Sequence, residues 1–156
     1  MKTIAATFFL GALAATASAQ TPACSNATLT GTYAFTITGQ ILAPAAAVGP
    51  VAGVALTTFD GGGNLTQVDH VVHNGVAPVE DWRPATGTYS VNSDCTGTFS
   101  FFPAPTVAAD GSPAIKVFFV IAKGGAEIRT AVTGSPNTPP FMASLTSTGV
   151  RVIGAE

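Results

Sequence analysis

The chain has 156 residues and a formal net charge of −2 at neutral pH, from six basic and eight acidic side chains. It has no basic cluster, so it lacks the electrostatic footprint of a protein that binds nucleic acid or anionic lipid. We therefore expect neither nucleic acid nor a membrane as a partner. The length suits one domain of ordinary size with a single core.

The first residues have the composition of a secretory signal peptide. A positive charge at Lys2 precedes an apolar run from residue 4 to about residue 15, and residues 17–19 are the small triplet Ala-Ser-Ala. This order is typical of an export signal that is cleaved after the triplet. A membrane-spanning helix, the alternative, needs about 20 apolar residues, and the run is too short. We predict a signal peptide over residues 1–19 and a single secreted domain over residues 20–156.

The segment LTGTYAFTITGQI, which begins at Leu29, alternates between two kinds of side chain. Tyr33, Phe35 and Ile37 fall on one side and threonines on the other, a period of two that predicts a half-buried strand. The following LAPAAAVGP contains two prolines. We predict a loop there rather than a low-complexity linker, because the next strand pattern begins at once at Val51.

A second strand is predicted over Val51–Phe59 and a third over Leu65–His73. The sequence DGGGN between them supplies the positive φ angles of a tight hairpin turn. A nucleotide-binding glycine loop, the alternative, requires a helix after the glycines, whereas LTQVDHVV has a strand pattern. Asn74-Gly75 then ends the third strand with another hairpin signal.

Five further strand patterns follow, and they cover Ala85–Val91, Thr96–Phe102, Ile115–Lys123, Glu127–Thr133 and Phe141–Val152. About eight strands joined by short connections, without a helical period, predict an all-β fold, a single antiparallel β-barrel. Closure removes exposed strand edges and leaves an interior wide enough for side chains or one small ligand. An immunoglobulin-like β-sandwich is the alternative.

The two cysteines, Cys24 and Cys95, allow one intramolecular disulfide. A disulfide fits an oxidising compartment, in agreement with the leader. Free thiols or an intermolecular bridge are the alternatives. The bridge ties the start of the domain to a turn in mid-chain, and Trp82 does not lie between two strand cysteines as it would in an immunoglobulin domain. Because no CxxC pair exists, we do not expect a zinc site.

Two N-glycosylation sequons occur, Asn26-Ala27-Thr28 and Asn64-Leu65-Thr66. In a eukaryotic protein we expect both Asn26 and Asn64 to lie on exposed turns and to carry glycans. In a bacterial protein these sequons have no such role.

Three segments, LTGTYAFTITG, TTFDGGGNLT and ATGTYSVNSDCTGTF, resemble a pattern shared by a family of small secreted microbial β proteins without an established activity. The resemblance covers about the first two thirds of the predicted domain and implies an architecture only. The strand count and hairpin order are also similar to calycin-like barrels, including lipocalins and allene-oxide-cyclase-like proteins. That likeness concerns the fold, and fold alone does not carry function.

The stretch from Phe59 to Cys95 holds both histidines and five of the eight acids. If Val68 and Val72 face the barrel interior, alternation places His70 beside them. An imidazole there could bind a ligand or act as an acid or base. A partly exposed histidine with an ordinary hydrogen-bond partner is the alternative.

Metal binding is disfavoured by the spacing on the same strand. His70 and His73 project to opposite faces, and Asp69 and His73 lie about 13 Å apart at roughly 3.3 Å per residue. Only a bulge could bring these groups together. We therefore predict no metal and no cofactor.

The loop PVEDWRP, residues 78–84, places two carboxylates, an indole and a guanidinium between prolines that limit its freedom. Trp82 could stack on a ligand while Arg83 reaches a carboxylate or phenolate. The alternative is a surface loop in which Trp82 caps the barrel end and Arg83 pairs with Glu80 or Asp81. Adjacent carboxylates are not an evident glycosidase pair.

No GxSxG elbow, cysteine nucleophile or HExxH helix is present, so whether the chain is an enzyme stays open. The leading hypothesis is a secreted, disulfide-bonded barrel that binds a small apolar molecule near His70, Trp82 and Arg83. The second is a cofactor-independent cyclase or isomerase, with His70 as acid or base, Glu80 or Asp81 as its partner and Arg83 stabilising an anion. The third is a structural or host-facing extracellular protein with a solid core and an exposed apolar patch.

Overall fold

The computed structural model describes residues 23–103, 115–133 and 142–152. These residues form eight strands: β1 (Gly31–Ala43), β2 (Gly49–Phe59), β3 (Asn64–His73), β4 (Arg83–Val91), β5 (Thr96–Pro103), β6 (Ile115–Ala122), β7 (Glu127–Thr133) and β8 (Met142–Arg151). Short 3₁₀ turns lie before β1, between β1 and β2, and between β6 and β7, at Asn26–Leu29, Ala45–Ala47 and Lys123–Gly125. None of the helical segments in these ranges could span a bilayer.

The sheet closes on itself. Each strand is hydrogen-bonded to the next in antiparallel orientation, and β8 pairs with β1. The closing pairs run from Tyr33 opposite Arg151 to Ala43 opposite Met142. This ring of pairs confirms the predicted antiparallel β-barrel and excludes the sandwich, because two stacked sheets would keep unpaired edges.

The observed strands agree closely with the predicted ones, and the main differences occur at prolines. β2 and β4 begin at Gly49 and Arg83, two residues earlier than predicted, and so include Pro50 and Pro84. Proline lacks a backbone N–H and is tolerated near the first residue of a strand, where that donor is not needed for the sheet. The earlier start of β4 places Arg83 in the barrel wall.

The turn between β2 and β3 has the predicted hairpin chemistry. Asp60 Oδ1 accepts hydrogen bonds from the backbone N–H groups of Gly62, Gly63 and Asn64 at 2.7 to 2.9 Å. Gly61 has a φ of 80°, a conformation that glycine adopts without steric cost. The carboxylate therefore holds the turn that sets the register of β3 against β2.

One half of the barrel interior is filled with aromatic rings. Phe59 lies at its centre, and its ring meets those of Tyr33, Tyr89 and Phe99 edge to face at centroid distances of 5.5, 5.0 and 6.1 Å. Such contacts are favourable beyond the burial of area that they bring. We call this region the packed half; its buried members are Leu29, Tyr33, Phe59, Leu65, Tyr89, Phe99, Phe119 and Ile128.

The N-terminal 3₁₀ turn closes the barrel at the packed half. Leu29 is fully buried there, and Asn26 Oδ1 accepts a hydrogen bond from the backbone N–H of Val91 at 2.8 Å. Cys24, just before the turn, is bonded to Cys95, which lies between β4 and β5. The predicted intramolecular disulfide is confirmed, and it fastens the closing segment to the barrel.

Candidate functional site

The half of the interior opposite the N-terminal turn is more exposed to solvent. Most of its inward-facing side chains are half-buried, although Val51, opposite His73, is only 6% exposed, whereas Tyr33 and Phe59 in the packed half are 0% and 1% exposed. We call this region the open half; it is lined by Ile41, Val71, His73, Arg83 and Leu145. The β1–β2 and β3–β4 connections lie at this end. In the part of the chain that the structure describes, the N-terminal turn closes one end of the barrel, and the side chains lining the other end are partly accessible to solvent.

Four polar side chains form a hydrogen-bonded chain inside the barrel wall. Thr57 donates from Oγ1 to Gln67 Oε1 at 2.7 Å, and Gln67 Nε2 donates to Asp69 Oδ2 at 3.1 Å. Arg83 binds Asp69 Oδ1 through Nε at 2.8 Å and Nη2 at 2.7 Å. Thr57, Gln67 and Asp69 are 0%, 7% and 3% exposed, whereas the Arg83 side chain is 31% exposed. The chain therefore reaches solvent only at Arg83.

Arg83 pairs with Asp69, and the alternative in which it pairs with Glu80 or Asp81 is wrong. Asp69 on β3 lies directly opposite Arg83 on β4, so both side chains project inward from adjacent strands. Glu80 and Asp81 are exposed in the β3–β4 connection. A nearly buried carboxylate needs a partner, and the guanidinium supplies both charge and two hydrogen bonds.

The condition under which His70 would face the interior is not met, because Val68 lies on the outer wall; the alternative, a partly exposed histidine with an ordinary hydrogen-bond partner, describes His70. The inward face of β3 consists of Leu65, Gln67, Asp69, Val71 and His73. Val68 is 36% exposed on the outer wall, and His70 shares that face. Valines occur on both faces of β3, so the apolar pattern alone does not decide the phase.

His70 and Trp82 form a contact on the outer wall. The His70 Nδ1–H group donates to the backbone carbonyl oxygen of Asp81 across 2.6 Å, and the imidazole and indole centroids are 6.3 Å apart. Trp82 is 56% exposed. The structure thus separates the three predicted ligand-binding residues: Arg83 lies inside the barrel, and His70 and Trp82 lie outside it.

The outer wall beside this contact carries an apolar patch. Leu56 lies opposite Val68, and Val54 lies opposite His70. Val54, Leu56 and Val68 are 47%, 43% and 36% exposed, and Trp82 extends the patch toward the open half. Adjacent exposed apolar side chains of this kind are a feature of interaction surfaces.

His73 faces the open half with an unsatisfied nitrogen. Its Nε2 is buried, and it has no hydrogen-bond partner among the described residues. His73 lies opposite Val51 at the end of β3, where its backbone also bridges to Val76. Buried polar atoms are nearly always paired in folded proteins, so a water molecule or a ligand group that reached this nitrogen would supply the missing bond.

The sequence pattern did not indicate Thr57, Gln67 or Asp69 as ligand-binding residues, although part of the signal was present. Gln67 and Asp69 stand in the same phase of β3 as Leu65, which follows directly after the hairpin turn. Polar residues that alternate in phase with a core residue indicate an interior polar pair. Thr57 completes the chain from β2 and has no equivalent signal, whereas Arg83, which completes it from β4, was already a candidate binding residue from the sequence.

The described residues contain no group of three or more His, Cys, Asp or Glu side chains arranged to hold a metal ion. His70 and His73 occupy opposite faces of β3, as their spacing predicts. The interior carboxylate Asp69 is already bound to Arg83. The chemistry of the open half is therefore that of an apolar lining with an ion pair and an imidazole.

The two sequons lie in different surroundings. Asn64 is exposed at the start of β3, and its Nδ2 donates to Asp60 Oδ2 at 2.7 Å. Asn26 is half-buried in the N-terminal 3₁₀ turn, with its side chain bonded to the backbone of Val91. The expectation of an exposed turn holds for Asn64 and not for Asn26, because Asn26 is part of the closure of the barrel.

Comparison with protein-family models, with curated proteins and with solved structures gives no match to this chain.

Proposed function

We propose that this chain is a secreted binding protein whose barrel holds a small, mainly apolar molecule in the open half. The observation that carries the proposal is the contrast between the two halves of one interior, the first filled by aromatic rings and the second lined by half-buried side chains. Eight-stranded barrels have an interior of the size that side chains fill or that one small ligand occupies.

Apolar contact is the main source of binding energy in this site. Ile41, Val71 and Leu145 line the open half, and a ligand that buries about 200 Å² of apolar surface against them gains about 5 kcal/mol at roughly 25 cal/mol per Å². Loss of translational and rotational freedom offsets part of this gain. A gain of about 5 kcal/mol corresponds to a dissociation constant of roughly 0.2 mM, so we expect affinities no tighter than this for a ligand of this size.

Secretion is supported by two independent features. The leader over residues 1–19 has the order of regions of an export signal, and the Cys24–Cys95 bridge fits an oxidising compartment. The bridge closes the end of the barrel opposite the open half. A rigid closed end favours binding, because less of the site must be ordered when the ligand enters.

Titration with N-phenyl-1-naphthylamine, an uncharged dye that fluoresces in apolar surroundings, tests the proposal. Trp82 is exposed on the outer wall, so its own fluorescence is a poor reporter of the interior. We expect saturable dye fluorescence with the unmodified protein and binding at least tenfold weaker in Val71→Trp, which fills the open half.

Val68→Trp is the matched control, since it adds the same side chain to the same strand on the outer face. It should leave dye binding unchanged. Because an added indole can destabilise a packed interior, urea unfolding of both variants accompanies the titration, and Val71→Phe replaces Val71→Trp if the latter is unfolded. Equal dye binding by the inner and outer variants, or none by the unmodified protein, would count against the proposal.

The residues predicted for a cyclase or isomerase do not lie together in the structure. His70, Glu80 and Asp81 lie outside the barrel interior, and only Arg83 faces it. An acid, its partner and an anion stabiliser must act on one substrate within hydrogen-bond reach. The predicted residues therefore do not support catalysis in the open half.

An interaction role is favoured by a separate observation, the exposed patch of Val54, Leu56, Val68 and Trp82. This second function would use the outer wall and is compatible with ligand binding inside. Leu56→Thr should abolish an interaction through the patch and leave dye binding unaltered. Retained attachment to an extracellular partner after this change would exclude the patch as its binding surface.

A further inference from the structure

The Arg83–Asp69 pair also indicates the chemical class of the ligand. We propose that the open half binds an uncharged molecule with one hydrogen-bond-accepting oxygen, such as an apolar ketone, aldehyde, ester or alcohol, and that this oxygen accepts from Arg83. The inference rests on the proposed binding function and names the ligand of the same site. Carboxylic acids and pure hydrocarbons are the classes that it excludes as preferred ligands.

Arg83 retains donor capacity toward the open half. Its Nε and Nη2 both bind Asp69 Oδ1, and Nη1 has no hydrogen-bond partner among the described residues. A guanidinium carries five N–H donors in a fixed plane, so the unused ones stay available when the ion pair is formed. The 31% exposed fraction of the side chain places these donors at the boundary between the polar chain and the open half.

A hydrocarbon does not use these donors. When an apolar ligand fills the open half, the unpaired N–H groups of Arg83 lose contact with water and gain nothing in return, which weakens binding. An acceptor oxygen placed against Arg83 restores the lost bond. The remaining lining, Ile41, Val71 and Leu145, then contacts the apolar part of the ligand.

The charge balance of the open half disfavours an anionic ligand. Asp69 already neutralises Arg83, so a ligand carboxylate would bring a second negative charge beside a nearly buried one. The acids Glu80 and Asp81 lie in the β3–β4 connection at the same end. Lys116 does not offset them inside, since it lies on the outer wall over the Phe118 ring at 5.2 Å.

The other inward-facing cation of the described residues is occupied elsewhere. Arg151 lies at the closed end of the barrel, where Nε and Nη2 bind the Tyr33 hydroxyl oxygen at 3.1 and 2.8 Å. Its Nη2 also donates to the backbone carbonyl oxygen of Thr28 at 3.0 Å. Arg83 is therefore the cation that a ligand in the open half meets.

The test is displacement of bound N-phenyl-1-naphthylamine by three molecules with the same number of carbon atoms: butyrophenone, butylbenzene and 4-phenylbutanoate. Butyrophenone carries a neutral ketone oxygen, butylbenzene carries no oxygen, and 4-phenylbutanoate carries a carboxylate. We expect butyrophenone to displace the dye at about one tenth of the concentration that either of the others needs. The preference is expected to disappear in the double variant Asp69→Leu/Arg83→Met, which removes both charges together and so leaves neither unpaired.

The ligand order in the unmodified protein decides the inference even if the double variant does not fold. Equal displacement by all three molecules, or the strongest displacement by 4-phenylbutanoate, overturns the inference and leaves the binding function standing. Absence of dye binding overturns the binding function itself, and with it the inference. The two failures are thus distinguishable in one experiment.

Discussion

Asp69 and Arg83 meet inside the barrel as opposed residues of β3 and β4, with the carboxylate nearly buried and the guanidinium facing the open half. The pair connects the buried hydrogen-bonded chain of Thr57, Gln67 and Asp69 to the partly exposed open half. The pair compensates the charge of the interior carboxylate and leaves N–H donors of Arg83 directed at the open half.

Removal of one partner should destabilise the fold. In Arg83→Met the Asp69 carboxylate stays buried without its cation, and we expect a loss of about 2 kcal/mol in the free energy of unfolding, less than for a fully buried pair because Arg83 is partly exposed. Urea unfolding at neutral pH measures the loss. Arg129→Met is the comparison variant: Arg129 is 67% exposed, and its partner Glu127, although only 8% exposed, keeps Lys123 as a second cation, so the loss should be at most about 0.5 kcal/mol. Equal losses of unfolding free energy in both variants would show that the interior pair does not stabilise the fold more than the Arg129–Glu127 pair.

The Tyr33 hydroxyl should contribute more to stability than the Tyr89 hydroxyl. Tyr33 Oη donates to the Gly125 carbonyl oxygen at 2.5 Å and accepts from Arg151, whereas Tyr89 Oη donates to the Asn26 carbonyl oxygen at 3.1 Å. We expect losses of about 2 kcal/mol for Tyr33→Phe and about 1 kcal/mol for Tyr89→Phe. Chemical unfolding of the two single variants compares them directly. The reverse order would mean that Arg151 does not depend on the Tyr33 oxygen.

The disulfide should stabilise the chain strongly, because its cysteines are 71 residues apart. The chain-entropy model gives about 4 kcal/mol for a loop of this length. The double variant Cys24→Ser/Cys95→Ser should lose a free energy of unfolding of that order, and thermal unfolding with and without a reductant provides an independent measure. A reductant should leave the double variant unchanged. If the unmodified protein were equally indifferent to reductant, the bridge would not form in solution.

Stability should fall in acid partly through Asp60. Hydrogen bonds from the Asn64 side chain, and then from the backbone N–H groups of Asn64 and Gly62, lower the pKa of Asp60 from 3.8 to about 2. A lowered pKa in the folded state stabilises the fold above the unfolded pKa, and this contribution is lost as the pH falls from about 4 to about 2. Unfolding free energies measured across this window should therefore decrease less steeply for Asp60→Ala than for the unmodified protein.

Glu80→Ala controls for the loss of a negative charge, because Glu80 is exposed in the β3–β4 connection. It should retain the slope of the unmodified protein. The free energy of unfolding of Asp60→Ala should still fall somewhat with pH, because two other carboxylates also have lowered pKa values. Hydrogen bonds from Thr96 lower the pKa of Asp94, and hydrogen bonds from Lys123 and Arg129 lower the pKa of Glu127. Identical slopes in all three proteins would contradict the role given to the hairpin carboxylate.

The barrel could be predicted from the sequence because strand period and turn chemistry are local properties. The run from Tyr33 to Ile37 shows its alternation directly, and DGGGN specifies a hairpin without reference to the rest of the chain. The two cysteines allowed only one internal pairing. Each of these signals depends on a few neighbouring residues, and each is confirmed by the structure.

The site could not be predicted in the same way, because its geometry depends on contacts between strands. The choice between His70 and Asp69 as inward residues is set by the register of β3 against β2 and β4, and the valines of β3 occur on both faces. Arg83 lies 14 residues from Asp69, and nothing local distinguishes that carboxylate from Glu80 or Asp81. A proline at position 84 marked a loop in the sequence, although the strand begins one residue earlier.

Methyl NMR of the protein titrated with butyrophenone shows whether the open half binds an uncharged apolar molecule. We expect saturable shifts for the inward methyl groups of Ile41, Val71 and Leu145, and none for the outward methyl groups of Val54 and Leu56. Shifts confined to Val54 and Leu56 would place binding on the outer wall, and unchanged spectra at saturating ligand would show that the open half binds nothing of this class.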